Sequence, residues 1–417
     1  MRSRAPGPNA LFFIFVTVMI NMIGFGVIMP VMPQLIMDVT GEDLAHAARW
    51  GGILSLAYAV MQFFMMPVMG ALSDRYGRRP IILGSLLAYS ADFLLLAIAP
   101  SVFILLVARI LAGSFAATFS TANAFIADIS PPEKRAQNFG LMGAAFGLGF
   151  IIGPGVGGII GDEFGPRAPF YAVALLGLVN FVYGVIFLPE TLADEHRRKF
   201  EWRRANALGS FLKFREYPSI LPIGAAILLY QLAHWAMPSI WAYYSEARFG
   251  WSPREIGWSL MAVGLAAAIV QGGLTRIVIP RLGERRTAIV GLAIACLSYA
   301  CYGLITEGWM IYVLIPFGAL AGFTLPALQG IMSRTIPANA QGELQGAIGA
   351  LSGLSMIFGP PVMTQVFAAF SGENAIYDAP GAPFLLASVL AVLAFIPLVN
   401  AIGQIKRPAT AAKTPAQ

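Results

Sequence analysis

Apolar stretches recur along the whole chain, separated by short clusters of charged residues, proline and glycine. Each is about 18 to 25 residues long, enough for a helix to cross a hydrocarbon core of roughly 30 Å. The runs do not alternate polar and apolar positions as the strands of a lipid-facing barrel would. We predict twelve transmembrane helices, spans 1 to 12, near residues 10–32, 51–70, 80–99, 101–122, 138–161, 168–189, 219–242, 257–275, 287–305, 309–332, 344–369 and 383–403.

The composition agrees with this pattern. Of the 417 residues, 58% are hydrophobic and 12% are charged, a balance too apolar for a water-soluble domain of this size. We therefore expect an all-α membrane protein, with the lipid bilayer as the solvent for most of its surface.

Basic residues are concentrated in alternate connections between the spans. The connections that would share a side with the amino terminus are rich in arginine and lysine, whereas the other side has only Arg49, Arg167, Arg248 and Arg254. By the positive-inside rule we predict a multi-pass protein of the bacterial inner membrane with both termini in the cytoplasm. The net charge of +6 is then an orientation signal, so nucleic acid is not expected as a partner.

The sequence also repeats at a constant offset of 206 residues. Gly77 and Arg79 recur as Gly283 and Arg285, and the Gly-Pro pair at Pro154 recurs at Pro360. One repeat contains six spans, an even number, so the two halves enter the membrane with the same orientation. We predict a six-helix bundle over 1–189, a cytoplasmic linker over 190–218, and a second six-helix bundle with a short cytoplasmic tail over 219–417.

The loop between spans 2 and 3 reads Gly70-Ala-Leu-Ser-Asp-Arg-Tyr-Gly-Arg-Arg-Pro80. This sequence resembles the signature loop of the major facilitator superfamily. That resemblance implies two pseudo-symmetric six-helix bundles. The loop's glycines allow close packing and a turn with positive φ, and its charges can pair with helix ends, including Asp128 after span 4. We predict that these residues gate the conformational change; the alternative is a basic loop that only sets orientation. The gating candidates are Gly70, Asp74, Arg75, Gly77, Arg78, Arg79 and Asp128.

Span 5 contains glycines and a proline in a pattern that resembles the antiporter motif of drug exporters in this superfamily. The residues are Gly143, Gly147, Gly153, Pro154, Gly157 and Gly158. Small residues let helices pack closely in lipid, and the proline bends its helix. The resemblance favours export over import, although packing alone could explain the glycines.

Further segments make the chain similar to the tetracycline/proton antiporters. These are Gly26 to Pro33, Leu188-Pro-Glu190, Arg248-Phe-Gly-Trp251 and Leu325 to Gln329. The resemblance implies efflux of a drug or tetracycline-like compound, with the proton as coupling ion.

The chain departs from that family in span 1, where the family has an acid and this chain has Asn21. The family's acid in span 9 falls at Ala295, and its histidine in span 8 falls near Ala267. A facilitator or uptake carrier without proton coupling therefore stays open as the alternative.

Few titratable residues remain at membrane depth. Asp92 is about 18 Å into span 3, and Arg109 lies at a matching depth in span 4, so the two can be neighbours. Asp92 is either the proton-binding group or one half of a structural ion pair that never titrates. His234, in span 7, is a further candidate for proton coupling, although a structural histidine is more common.

Amide and aromatic side chains at membrane depth are candidates for a substrate cavity. With few fixed charges and many aromatic rings, such a cavity suits a small amphipathic organic compound better than an inorganic ion or a sugar phosphate. The candidates are Asn21, Phe25, Gln62, Asn123, Gln231, Trp235, Trp241, Gln271, Phe323 and Gln329.

Other function classes lack the residues that they need. The chain has no phosphate-binding loop for ATP, and its three histidines, His46, His196 and His234, form no metal-ligand spacing. We therefore expect no catalytic residues, no metal, no ATP and no cofactor besides the proton, hence no enzyme. We expect a monomer; a receptor or scaffold role is harder to exclude from residues alone.

Overall fold

The computed structural model describes residues 8–116, 118–198, 200, 220–337, 340–372, 375 and 377–405. Within these ranges the chain is almost entirely helical and has no β-strand. In chain order the helices are α1 (Pro8–Thr40), α2 (Leu44–Tyr76), α3 (Arg78–Ile98), α4 (Val102–Ser114), α5 (Thr118–Ile129), α6 (Arg135–Phe164), α7 (Ala168–Phe187), α8 (Leu221–His234), α9 (Ala236–Phe249), α10 (Pro253–Ile269), α11 (Thr275–Leu282), α12 (Glu284–Leu304), α13 (Gly308–Ala319), α14 (Thr324–Thr335), α15 (Gln341–Ala369) and α16 (Ala382–Ile405).

These helices account for all twelve predicted spans. Eleven helical stretches of the described chain are long and apolar enough to cross a membrane, and span 4 begins with the shorter apolar helix α4. Spans 4, 7, 8 and 10 each consist of two consecutive helices. The predicted all-α membrane fold is confirmed. Most of the predicted linker, the first seven residues and the end of the tail lie outside the described residues.

The first two helices are longer than predicted. Span 1 was expected to end near residue 32, but α1 continues to Thr40, and α2 begins at Leu44 instead of near residue 51. The added residues, 34–40 and 44–50, contain no glycine or proline that would stop a helix. Asp43 caps α2 by accepting a hydrogen bond from the backbone N–H of His46 at 2.8 Å, and this bond lowers the pKa of Asp43.

The interrupted spans break at identifiable points. Span 7 divides at Trp235, just before Pro238, whose nitrogen has no hydrogen to donate. Span 8 contains a π-helical turn over Val270–Leu274, and span 10 a 3₁₀ turn over Leu320–Phe323. Such turns free backbone groups within a span and often occur at functional positions.

Helices of each half pack mainly against one another. In the first half α1 packs on α6, α3 on α7 and α2 on α4. In the second half α8 packs on α15 and α16, and α12 on α16. By the offset of 206 residues, the pairing of spans 1 and 5 in the first half corresponds to that of spans 7 and 11 in the second. The sequence repeat is therefore also a repeat of helix packing.

The two halves meet along two lines of contact, α6 with α10 and α2 with α15. A Cβ atom built on Gly158 would overlap the carbonyl oxygen of Pro253, and one built on Gly257 would overlap that of Pro154. A Cβ atom built on Gly51 would likewise overlap the hydroxyl oxygen of Tyr243. These close approaches all lie toward the ends of the spans that we predict to face outward.

Both lines of contact end before they reach the predicted cytoplasmic side. The last glycine of α10 that packs on α6 is Gly264, where an added Cβ atom would lie 2.9 Å from the Ile151 side chain. Further toward the cytoplasmic side, Gly143, Gly147 and Gly349 have open space where a Cβ atom would stand. The protein is therefore closed on the predicted outer side and open between the halves on the predicted cytoplasmic side.

Candidate functional site

A cavity of about 250 Å³ lies between the two halves near the middle of the spans. Helices α1 to α4 supply most of its wall, and the second half contributes residues from span 7 and α15. Apolar side chains, among them four methionines and three phenylalanines, alternate in the lining with eleven side chains that carry a hydroxyl, amide or charged group. A cavity of this size and character suits a small organic molecule.

The charged centre of the cavity is the ion pair between Asp92 on α3 and Arg109 on α4. Both are buried, at 2% and 7% exposure. One terminal nitrogen of the guanidinium, Nη2, donates to both carboxylate oxygens, at 2.5 Å to Oδ1. The structure thus brings together the two residues that the sequence placed at matching depths.

Arg109 has donor capacity beyond this pair. Its Nε is buried and has no hydrogen-bond partner. The guanidinium carbon lies 6.0 Å from the ring centroid of Tyr58, within the range of a cation–π contact. Tyr89, one turn before Asp92, donates its hydroxyl hydrogen to the Ile20 carbonyl at 2.8 Å. Tyr58 and Tyr89 thus line the cavity together with the ion pair.

Four of the predicted substrate-cavity residues line this cavity. They are Asn21, Phe25, Gln62 and Trp235. The amide nitrogen of Asn21 donates to the Thr17 carbonyl at 2.8 Å. The buried Oε1 of Gln62 has no partner, so it is free to accept a hydrogen bond from a ligand.

Three candidates from span 7 lie elsewhere. Trp241 is 1% exposed, donates its indole hydrogen to Ser259 Oγ at 2.9 Å, and belongs to the core of the second half. Gln231 donates to Ser352 Oγ at 2.8 Å and so joins α8 to α15. His234 stacks on the Tyr230 ring with centroids 6.3 Å apart and is not part of the cavity wall. Gln231 and Trp241 are therefore hydrogen-bonded within the second half, whereas His234 has an exposed side chain.

The other four predicted candidates are also outside the cavity wall. Phe323 is buried in the 3₁₀ turn of span 10, and Gln271 lies in the π-helical turn of span 8 beside Gly322. Asn123 on α5 and Gln329 on α14 are half-buried and do not line the cavity. Their positions toward the predicted cytoplasmic side of the spans explain the difference, since the halves diverge there.

Sequence reasoning missed several residues of the wall. Tyr58 and Tyr89 stand beside the ion pair, and Ser239 and Tyr243 come from the second half. The hydroxyl groups of Ser239 and Tyr243 are buried without a partner. A helical-spacing argument could have found Tyr58, which lies four residues before Gln62 and so on the same helix face.

The signature loop forms a compact charged cluster at the predicted cytoplasmic side. Arg78 is 8% exposed and donates to Asp74 at 2.6 Å and to Asp128 at 3.2 Å. Glu190, which sequence reasoning had not given a role, accepts from the backbone N–H of Arg78 at 2.9 Å and of Arg79 at 3.2 Å. The cluster therefore ties α2, α3 and α5 to the end of span 6.

The glycines and arginines of this loop differ in their contacts. Gly77 has φ +102°, and a Cβ atom there would overlap the Glu190 carboxylate. Gly70 was expected to allow close helix packing, but it has open space around it because the two halves have separated at this level. Arg75 lies over the Tyr76 ring at 5.0 Å.

The second half contains an ion pair that corresponds to Arg78–Asp128, with the acidic and basic positions exchanged. At the offset of 206 residues, Arg78 and Asp128 correspond to Glu284 and Arg334. Glu284 Oε1 lies 3.0 Å from Arg334 Nη2, so the equivalent helices are joined by the same kind of contact. Sequence comparison of the halves by identity alone misses this correspondence.

The antiporter-type motif divides into two groups. Gly153, Pro154 and Gly157 pack on α1, and Gly158 packs on α10 of the other half. Gly143 and Gly147 have open space where close packing had been expected, because α6 has diverged from its neighbour there.

Among the described residues, no group of histidine, cysteine and acidic side chains could hold a metal ion.

Comparisons with known proteins agree with this architecture. The family model for the Major Facilitator Superfamily matches residues 14–360 and 226–417. The class C tetracycline resistance protein of Escherichia coli is 39% identical over 87% of this chain and 90% of that protein. The class G protein of Vibrio anguillarum is 36% identical over 85% and 89%. A crystal structure of a bacterial homolog of the human lysosomal transporter Spinster superposes with a TM-score of 0.80 at 18% identity, covering 97% of this chain and 98% of that one.

Proposed function

Since the chain belongs to the major facilitator superfamily, we propose that it exports a small amphipathic organic compound from the bacterial cytoplasm in exchange for protons, by alternating access. It is a multi-pass membrane protein and a secondary transporter of the drug efflux antiporter class, not an enzyme. Tetracycline-like compounds are the first substrates to test, because several relatives are named tetracycline resistance proteins.

The observation that carries the proposal is the buried Asp92–Arg109 pair in the cavity wall. An ionised carboxylate is stable at this depth only while a partner compensates its charge. A ligand that binds to the ionised pair through the unpartnered Nε of Arg109 keeps Asp92 ionised, whereas a proton on Asp92 breaks the pair to which the ligand binds. Substrate and proton then compete for one pair of side chains, which is what exchange requires.

The direction of each step follows from the sidedness of the cavity. With the cytoplasmic side open and Asp92 ionised, the protein is ready to accept substrate from the cytoplasm. Opening toward the outside would release the substrate and let Asp92 take a proton, which it loses when the cavity faces the cytoplasm again. Asn21 stands where related antiporters have an acid, so we assign proton transfer to Asp92.

We propose that residues 1–189 and 219–417 move as two bundles that rock about the central cavity. Both termini and the linker between the bundles would lie in the cytoplasm of a cell whose inner membrane the protein spans, and a single chain would suffice. The charged cluster around Arg78 and its exchanged counterpart at Glu284 would hold the cytoplasmic ends of each bundle during this motion. The facilitator alternative is not favoured by the relatives, which are named for resistance.

The experiment is proton release from proteoliposomes that contain the purified protein. The substrate is first identified by growth of expressing cells on a panel of antibiotics and dyes. Adding that compound to the wild-type protein should acidify a weakly buffered medium, whereas Asp92→Asn should bind the compound and release no proton. Proton release that is unchanged in Asp92→Asn would refute the assignment.

A further inference from the structure

The contact between the halves on the predicted outer side includes a group of three charged residues. Arg254, in the first turn of α10, faces Asp162 and Glu163 in the last turn of α6. Its Nη2 donates to Glu163 Oε1 at 2.6 Å, and its Nε lies 3.2 Å from Asp162 Oδ2. One arginine of the second half is therefore paired with two carboxylates of the first.

We infer that Arg254 is a positioning residue that holds the outer side of the transporter closed while the cavity faces the cytoplasm. This inference rests on the proposed alternation of access, because only a protein that opens outward has to break such a contact. It assigns to Arg254, Asp162 and Glu163 a role separate from substrate and proton binding, since none of them lines the cavity.

The location of the three residues supports the role. Arg254 directly follows Pro253, whose carbonyl oxygen is in contact with Gly158, so the ion pairs stand beside the closest backbone approach of the two halves. The start of α10 is also fixed, since Ser252 and Glu255 form a reciprocal capping box around it. Arg254 is thus held on a well-ordered helix end and points at its partners across the interface.

The internal repeat shows that helix packing does not require these charges. At the equivalent contact between α2 and α15, the offset of 206 residues places Ala48 opposite Ala368 and Ala369. There the halves are held by close packing, with Gly52 of α2 on Thr364 of α15. The charged group is therefore present on one of two equivalent lines of contact, where it adds an interaction that exists only when the outer side is closed.

The partly exposed positions of these side chains set the size of the effect. Exposure of 41% for Arg254 and 50% for Glu163 places the pair where solvent and salt screen it. A contact of this strength shifts an equilibrium by about two- to fivefold and does not lock it. That magnitude suits a contact that must break once in every transport cycle.

The test measures the distance between the halves on the predicted outer side. Spin labels are attached at Glu42→Cys and Glu307→Cys, which lie in loops of different halves, after Cys296 and Cys301 are replaced by serine. In lipid nanodiscs Arg254→Gln should raise the ratio of long to short distances about two- to fivefold, and Arg254→Lys should raise it less. The distances are read without substrate or proton gradient, so their outcome is independent of whether Asp92 carries the proton.

Arg49→Gln is the matched control, because Arg49 is an exposed arginine on the same side that belongs to the first half. It should leave the distance distribution unchanged. Exchange of the charges, Arg254→Glu with Glu163→Arg, should return the ratio toward the wild-type value, and added salt should open the wild type more than Arg254→Gln. An unchanged distribution in Arg254→Gln, or an equal change in Arg49→Gln, would overturn the inference.

Discussion

Neutralising Asp92 should affect stability and transport in separable ways. In Asp92→Asn, Arg109 keeps its charge but loses the carboxylate that pairs with it. Removing one partner of a buried ion pair destabilises proteins by about 3 to 5 kcal/mol. Because this pair borders a cavity, we expect the lower end, a loss of about 3 kcal/mol in the free energy of unfolding.

The double variant Asp92→Asn with Arg109→Gln should recover most of that loss. It removes both charges and leaves two amides that can hydrogen-bond to each other, so its stability should lie within about 1 kcal/mol of the wild type. Proton-coupled export should stay absent in both variants, because neither has a group at this position that can take up a proton.

The assay is a double-mutant cycle of unfolding in mixed micelles, followed by tryptophan fluorescence, with proton release measured on the same samples. Arg109→Gln completes the cycle and controls for loss of the cation alone. The reasoning is refuted if Asp92→Asn unfolds like the wild type, or if the double variant exports its substrate against a gradient. A stable double variant without coupling would match both parts of the prediction.

Three further perturbations test other parts of the structure. Gly158→Val should separate the halves on the outer side and reduce transport at least tenfold, while Gly143→Val, which has open space, should be tolerated in this conformation; equal loss in both would contradict the packing. Glu284→Arg should weaken transport, and adding Arg334→Glu should restore part of the rate. No recovery of the rate in the double variant would contradict a role for this ion pair. Asp43→Ala should cost about 1 kcal/mol through loss of the helix cap, measured by unfolding at neutral pH. Because the pKa of Asp43 is lowered in the folded protein, the cap's contribution is present above about pH 4 and disappears as the pH falls below it, so a deficit unchanged at pH 3 would contradict the cap.

The fold was predictable because hydrophobic length and internal repetition are strong signals. Each predicted span has its helix, and Asp92 and Arg109 were found together from depth alone. An unpaired charge at membrane depth is costly, so a lone carboxylate and a lone arginine in neighbouring apolar spans are expected to pair with each other. Sequence reasoning therefore locates charged residues within apolar spans well.

The rest of the cavity could not be read from the sequence. In lipid both the outward and the inward face of a helix are apolar, so periodicity does not reveal which face lines a cavity. Gln231 and Trp241 resemble ligand-binding residues in type and depth, but each is bonded to a serine in its own half. Tyr243, by contrast, reaches the cavity because it packs on Gly51 of the other half, a contact that only the assembled bundles define.

The central claim is that a proton gradient drives export through this cavity. Everted membrane vesicles from expressing cells test it most directly, since respiration acidifies their interior and the predicted outer side faces the lumen. The radiolabelled compound to which the chain confers resistance should accumulate in the lumen and leak out when an ionophore collapses the pH gradient. Accumulation that persists after the gradient is abolished would contradict the account.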